Sequence, residues 1–308
     1  MADWGFFGMT AYEAAWYFLI YSFAGWVIEV AFHVVSVGKI INRGFLNGPG
    51  CPVYGFGVLS VFAMGYALQG RGDLASIPLW QLFLAGVILS TAVELAAGAL
   101  LFHLFHARWW DYSKRPVNFH GYICPEFSII WGLAIAFVVR DLQPAVEKVS
   151  AAAIPERVGV PILAVCYAVL LADVTVTVLS VTRLNRELED LEKIRASMRT
   201  VSDGMSRVIG EGTFRAVENI EKGKARLEQE AERGRTQLQQ RQEAIAAALQ
   251  RGRILGTGRI LRGVPELSHA RFGETLRWLQ ERMNRSEEEP VSGPENRNTS
   301  RDTAHPEG

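Results

Sequence analysis

Five stretches of about twenty mostly apolar residues, roughly 13–37, 52–69, 78–102, 124–140 and 158–182, dominate the first part of the chain. A helix rises about 1.5 Å per residue and a bilayer's hydrocarbon core is about 30 Å thick, so each stretch predicts a transmembrane helix. Gly or Pro stands near most of the junctions. The second stretch is the shortest, and its Gly55, Gly57 and Gly65 suit a helix packed closely in lipid rather than one standing in water. After residue 182 the pattern changes. Leu184, Leu188, Leu191, Ile194, Met198, Val201, Met205 and Val208 step by three or four, which lines one face of a helix in the manner of a coiled coil. The spacing continues weakly through Val217, Ile220, Leu227, Ala231, Leu238 and Ile245, with Lys224, Gly234 and Arg241 interrupting the seam. The expected fold is all-α: a polytopic membrane domain over 1–182, a long and mostly solvated cytoplasmic helix over 183–285, and a tail. That tail, 286–308, opens with Glu287, Glu288 and Glu289 and continues in Pro, Ser, Asn and Gly, too polar to offset the entropy of ordering, and is expected to be disordered.

Net charge is zero, but the total hides two unlike parts. Residues 1–182 carry 9 Lys or Arg and 11 Asp or Glu, whereas 183–285 carry 21 and 15. Basic residues near span ends set orientation. Lys39 and Arg43 lie between the first two spans, Arg108, Lys114 and Arg115 between the third and fourth, and Arg183, Arg186, Lys193 and Arg195 after the fifth. In the opposite loops, Arg71, Arg140, Lys148 and Arg157 are offset by Asp73, Asp141, Glu147 and Glu156. The expectation is a multi-pass plasma-membrane protein with its N-terminus outside and its C-terminus cytoplasmic. The absence of Lys or Arg before Lys39 argues against a cleaved signal peptide, so the first span should stay. The spans satisfy their own backbone hydrogen bonds, so the charged region is expected to be separable from them.

The tail's basic residues are interleaved with acids, which argues against a nucleic-acid partner. Its exception, Arg251-Gly252-Arg253-Ile254-Leu255 with Arg259-Ile260-Leu261-Arg262, suits either an anionic membrane surface or an exposed basic turn. Cys51, Cys124 and Cys166 are too few and too scattered for a disulfide framework or a closed zinc site, and no metal is expected.

The chain also repeats itself. Val27-Ile28-Glu29 leads to Arg43-Gly44-Phe45-Leu46 and to Cys51-Pro52, which opens the second span. Ala92-Val93-Glu94 leads to His120-Gly121-Tyr122-Ile123 and to Cys124-Pro125, which opens the fourth. Both units start on the same side, so they would be parallel repeats about an axis along the membrane normal.

Glu29 and Glu94 lie about eight residues, roughly 12 Å, inside the cytoplasmic ends of their spans. A carboxylate there costs several kcal/mol (on the order of 3) unless protonated, paired or hydrated. Gly25 stands one turn from Glu29, and Ser90 and Gly98 one turn from Glu94, so both acids should face the bundle. They are candidates for a substrate or ion pathway, with Arg43 and His120 as partners that could fold back; the alternative is a pair of neutral, hydrogen-bonded packing residues. Pro52 and Pro125 suit a first helical turn, with Cys51 and Cys124 at the cap positions. These four and Asp111 are read as parts of folded loops, the cysteines equally as small buried residues. Trp109 and Trp110, with Tyr112, suit the membrane interface. Asp173 is either a third pathway acid or part of a polar packing stripe with Thr177 and Ser180.

Several uncommon words recur in order: Gly25-Trp26-Val27-Ile28-Glu29, Asn42-Arg43-Gly44-Phe45-Leu46, Gly48-Pro49, Cys51-Pro52-Val53-Tyr54-Gly55-Phe56-Gly57, Glu94, Trp109-Trp110-Asp111-Tyr112-Ser113 and Gly121-Tyr122-Ile123-Cys124. Over about residues 15–140 the chain thereby resembles the bacterial ABC-transporter type IV, or CmpB-like, permeases. The resemblance implies the membrane subunit of a transporter, of unspecified substrate. The chain has no G-x-x-x-x-G-K-[ST] phosphate loop, so any ATP would be bound by a separate ATPase subunit, pressing on the loops at 38–51 and 103–123. Besides the lipid bilayer, a homo-oligomer is the other partner to expect; no cofactor is. A scaffold or sensor acting through the cytoplasmic helix is the alternative. A membrane enzyme using Glu29, Glu94, Cys51 or Cys124 is a third reading, which no nucleophile beside a base supports, so catalysis is not the expectation.

Overall fold

A computed structural model describes residues 9–38, 40–69, 74–210, 217–251 and 256–288. The first helix, α1 (Ala11–Val37), starts on a capping box: Thr10 Oγ1 accepts from the Glu13 N–H at 3.2 Å while the Glu13 carboxylate accepts from the Thr10 N–H at 2.9 Å. It ends at Gly38, whose φ of 73° closes the last turn. Helix α2 (Pro52–Gln69) begins at the expected proline, and α3 (Leu79–Phe105) ends on His106 in the left-handed region. Cys124 caps α4 (Pro125–Phe137), which runs through a π-helical turn, Val138–Leu142, into α5 (Gln143–Ala153). Then come α6 (Glu156–Gly210), α7 (Val217–Arg251), α8 (Thr257–Gly263) and α9 (Gly273–Glu288). The sole sheet among the described residues pairs β1 (Ala107–Arg108) with β2 (Ser268–His269) antiparallel.

Four stretches are long and apolar enough to cross a membrane, Ala11–Val35, Leu79–Phe105, Pro125–Lys148 and Glu156–Ser197, which makes this a multi-pass membrane protein. The second expected span is a helix over the expected residues, but its apolar part, Pro52–Ala67, is shorter than the other four.

Glycines set how closely the helices approach. A Cβ on Gly55 would stand 2.7 Å from the Phe18 carbonyl oxygen of α1, and one on Gly132 3.0 Å from the Phe83 carbonyl oxygen of α3. A backbone carbonyl cannot swing aside as a side chain can. Gly132→Val is therefore expected to push α3 and α4 apart and cost about 1–3 kcal/mol, typical of overpacking. Gly57, with nothing within 4 Å of its would-be Cβ, is the matched control. Thermal melting in detergent compares the two; an equal fall for Gly57→Val would mean that helix propensity, not the crossing, is responsible.

The region after 182 departs from one long solvated helix. α6 passes through the expected boundary unbroken, and α7 turns back along it, bringing Arg241 to 3.7 Å from Asp190. Leu184, Leu188 and Leu191 are buried, as their spacing predicts, while the side chains of Met198, Val201, Met205, Val208, Val217, Ile220, Leu227 and Ile245 lie outside the described residues. The apolar face of α6 continues from Val181 through Leu191 and shares one core with Phe105, Ala107 and Trp109 and with Ile260, Leu261, Val264, Leu276 and Leu279. Further bonds hold the parts together: Ala270 N–H to the His106 carbonyl at 2.9 Å, and Asn185 Nδ2 to the Phe105 carbonyl at 2.7 Å.

Two expectations change accordingly. Trp109 is buried in this core and is not an interface anchor. Arg259, Ile260 and Leu261 are buried too, so that half of the basic doublet forms neither a membrane surface nor an exposed turn; residues 252–255 lie outside the described residues. α9 occupies the start of the expected tail as far as Glu288, and the rest of the tail also lies outside them.

Candidate functional site

Glu29 is half-buried on α1, and the Tyr54 hydroxyl donates to its Oε1 at 2.5 Å. Local sequence explains the meeting. Tyr54 sits in the first turn of α2, whose start is fixed by Pro52, and the Cys51 N–H donates to the Ser22 carbonyl at 2.9 Å, tying that start to α1. Gly25, one turn before Glu29, leaves the space that the Tyr54 ring fills; a Cβ there would overlap the ring.

Glu94, 8% exposed, lies on α3 and accepts from the Tyr112 hydroxyl at 2.9 Å through Oε1. Its Oε2 is buried and has no hydrogen-bond partner among the described residues. Tyr112 belongs to the folded loop 106–124. There Trp110 Nε1 donates to the Tyr122 carbonyl at 2.8 Å, the Tyr112 N–H to the Gly121 carbonyl at 2.9 Å, and Arg108 lies over the Phe102 and Tyr122 rings at 5.3 and 5.0 Å. Asp111 closes the turn, accepting from the Ser113 N–H at 3.0 Å, from its hydroxyl and from Arg108. Burial alone would raise this carboxyl's pKa; the Ser113 bonds and the Arg108 charge outweigh it and hold it below the usual range. Gly98 serves the loop as Gly25 serves Tyr54, since a Cβ there would come 3.0 Å from Tyr122 and 3.2 Å from Trp110.

The two acid–tyrosine pairs share a wall. Tyr112 stacks on Phe127 of α4 at 4.9 Å, and Tyr54 meets Trp131 edge-on at 5.3 Å. Four residues apart, Phe127 and Trp131 occupy one face of α4, about 6 Å from each other along the axis. Burial first, then the Glu94 charge and hydrogen bond, raise the Tyr112 pKa, with smaller contributions from Cys124 and Glu29. Glu29 is thus within electrostatic reach of the second pair.

The two Cys-Pro helix starts differ at the third residue after the cysteine. Three residues after Cys51 stands Tyr54, whereas three after Cys124 stands Phe127, which has no hydroxyl. Tyr112, stacked on Phe127, supplies one. Neither tyrosine stands out by type or spacing alone; setting Cys51-Pro52 beside Cys124-Pro125 shows the Tyr54–Phe127 difference, and nothing local points to Tyr112.

Other candidates fall elsewhere. Arg43 pairs with Glu266 at 3.5 Å instead of folding back on Glu29, and His120 is exposed, edge-on to Phe119, with a φ of 51°. Cys51 and Cys124 are buried free thiols beside Pro52 and Pro125 at the two helix starts. Asp173 braces the loop between α1 and α2: it accepts from the Gly48 N–H at 2.7 Å, the Asn47 N–H at 3.0 Å and Asn47 Nδ2 at 2.9 Å. On the loop's other side Arg259 donates to the carbonyls of Phe45 at 2.8 Å and Gly44 at 3.0 Å and to Asn47 Oδ1 at 3.0 Å. Burial pulls the Arg259 pKa down to about 10, against the opposing pull of Asp173 and Cys51, so the guanidinium stays charged at neutral pH.

No curated protein and no solved structure matches the chain. The family model described as Putative ABC-transporter type IV matches residues 16–178, more than half of its length. That interval holds most of α1, all of α2 to α4, both acid–tyrosine pairs and Asp173, and it places this multi-pass membrane protein in the Putative ABC-transporter type IV family.

Proposed function

We propose that this chain is the membrane-embedded subunit of a transporter whose pathway passes the Glu29–Tyr54 and Glu94–Tyr112 pairs. In this reading α2 is the fifth span. The units α1–α2 and α3–α4 are parallel repeats, the N-terminus is outside, and the end bearing α7 to α9 is cytoplasmic in the plasma membrane. The observation that carries it is the convergence of the two pairs on one face of α4, with one Glu94 oxygen buried and unbonded among the described residues. An intramembrane acid is a functional residue by default. Each carboxyl's hydrogen bond comes from a neutral phenol, which brings no counter-charge, so the pair suits a proton or a cationic group rather than an anion. A separate ATPase chain would supply energy if ATP drives the movement.

The double variant Glu29→Gln/Glu94→Gln tests the reading, reconstituted in proteoliposomes with whatever ATPase copurifies from native membranes. Uptake of a panel of labelled amines and metal cations, together with lumenal pH, is expected in the parent and to fall to background in the variant. Parent-level flux in the variant, or no flux in either, would refute it.

A further inference from the structure

We infer that Arg259 is a latch by which the C-terminal segment governs access to the Glu29–Tyr54 pair. The inference rests on the proposed site, but its test does not use transport. Arg259 is 7% exposed and far from Asn42–Gly48 in sequence, yet it makes its hydrogen bonds to that loop: to the carbonyls of Gly44 and Phe45, to Asn47 Oδ1 and, at 3.4 Å, to the Asn42 carbonyl. Two neighbours strengthen the seat. The Gly256 N–H donates to Asn47 Oδ1 at 3.1 Å, and Gly263 lies so close to the Asn42 carbonyl that a Cβ would overlap it.

From the loop, contacts lead directly to the acid. Asn42 Oδ1 accepts from Trp26 Nε1 at 3.0 Å, less than one turn from Glu29, and from the Gly44 N–H at 3.0 Å. A Cβ on Gly44 would stand 3.1 Å from the Cys51 sulfur, so the loop lies over Cys51, and Cys51 leads through Pro52 to Tyr54. Cys51 feels the charges of both Glu29 and Arg259; burial, aided by Glu29, pushes its thiol up to about 12 against Arg259's opposing pull. On the loop's other face Asp173 takes the N–H groups of Asn47 and Gly48, and Asn42 Nδ2 donates to the Leu46 and Asn47 carbonyls within the loop. Withdrawal of Arg259 therefore frees one side of the loop while the other stays fixed, a hinged cover rather than an unfolded one.

The second unit provides an internal control. Cys124 is the repeat equivalent of Cys51 and is also buried, but it belongs to loop 106–124, to which none of Arg259's hydrogen bonds goes. In full-length protein with Cys166→Ser, modification by a water-soluble thiosulfonate is followed separately at Cys51 and Cys124 by peptide mass spectrometry. Arg259→Gln is expected to speed modification of Cys51 at least tenfold and to leave Cys124 at the parent rate, with Arg259→Lys between parent and Arg259→Gln because one ammonium cannot reach all four acceptors. Unchanged protection of Cys51 would show that Arg259 does not control the loop. An equal rise at both cysteines would show a stabilising residue and no latch. Loss of flux in the glutamine double variant without a labelling change would sustain the site and sink the latch; a Cys51-specific rise beside parent-level flux in that variant would do the reverse.

Discussion

Removal of residues 256–308 is expected to leave a protein that inserts but no longer holds its α6 end together. The core there is joint: Phe105 at the end of α3, Ala107 and Trp109 just after it, and Val181, Leu184, Leu188 and Leu191 of α6, lose Ile260, Leu261, Val264, Leu267, Leu276 and Leu279. Burial of one large aliphatic side chain contributes about 1.5–3 kcal/mol, so six lost partners amount to on the order of 10 kcal/mol, the scale of a whole domain's stability. The deleted segment's own ordering entropy offsets part of that sum, but it cannot re-cover the surface left behind. A patch containing Phe, Trp and three Leu would then face water, which favours self-association. Size-exclusion chromatography in detergent and thermal melting read the result: aggregation or a Tm lowered by about 10 °C or more. Ile260→Ala isolates the packing contribution, because Ile260 is 0% exposed, and should cost about 2–5 kcal/mol. A truncated chain that melts with the parent would restore residue 182 as a true domain boundary.

Glu94→Gln and Tyr112→Phe are expected to separate function from stability in opposite directions. The amide introduced by Glu94→Gln can still accept from the Tyr112 hydroxyl, so this variant should melt within a few degrees of the parent while flux disappears. Tyr112→Phe keeps the stack on Phe127 but removes the hydrogen bond held by Glu94, leaving both oxygens of a buried carboxyl unbonded to the described residues. A buried group stripped of its partner costs about 1–3 kcal/mol, more if it is charged. The same deletion at Tyr54 should cost less, because Glu29 is only half-buried and can recruit water. If Glu94→Gln is as destabilising as Tyr112→Phe, Glu94 is a structural acceptor whose charge has no transport role; if Tyr54→Phe and Tyr112→Phe cost the same, the difference in burial does not matter.

The membrane class was fixed by composition alone, since runs of about twenty apolar residues have no other stable solution than spanning or deep burial. Helix starts at Pro52 and Pro125 were also legible, because each depends on one residue's own backbone, a ring that needs no N–H partner. So was the inward placement of Glu94, since an acid in lipid and a glycine one turn away both demand a protein neighbour.

What the spacing could not supply was the identity of that neighbour. Arg43 is the nearest cation in sequence to Glu29 on the loop that follows α1 and is described, yet the chain brings Tyr54 there instead, because Gly25 opens room for a ring and the tie from Cys51 to Ser22 sets the rotation of α2. Tyr112 reached Glu94 through a loop whose fold depends on hydrogen bonds donated by Trp110 and accepted by Asp111 and Gly121, which have no periodicity to read. Arg259 carried the same local signature as a surface arginine, a basic residue among apolar ones. Only the tertiary structure put four carbonyl and amide oxygens around it, from a loop more than two hundred residues earlier, and burial of a charge is decided by such non-local acceptors.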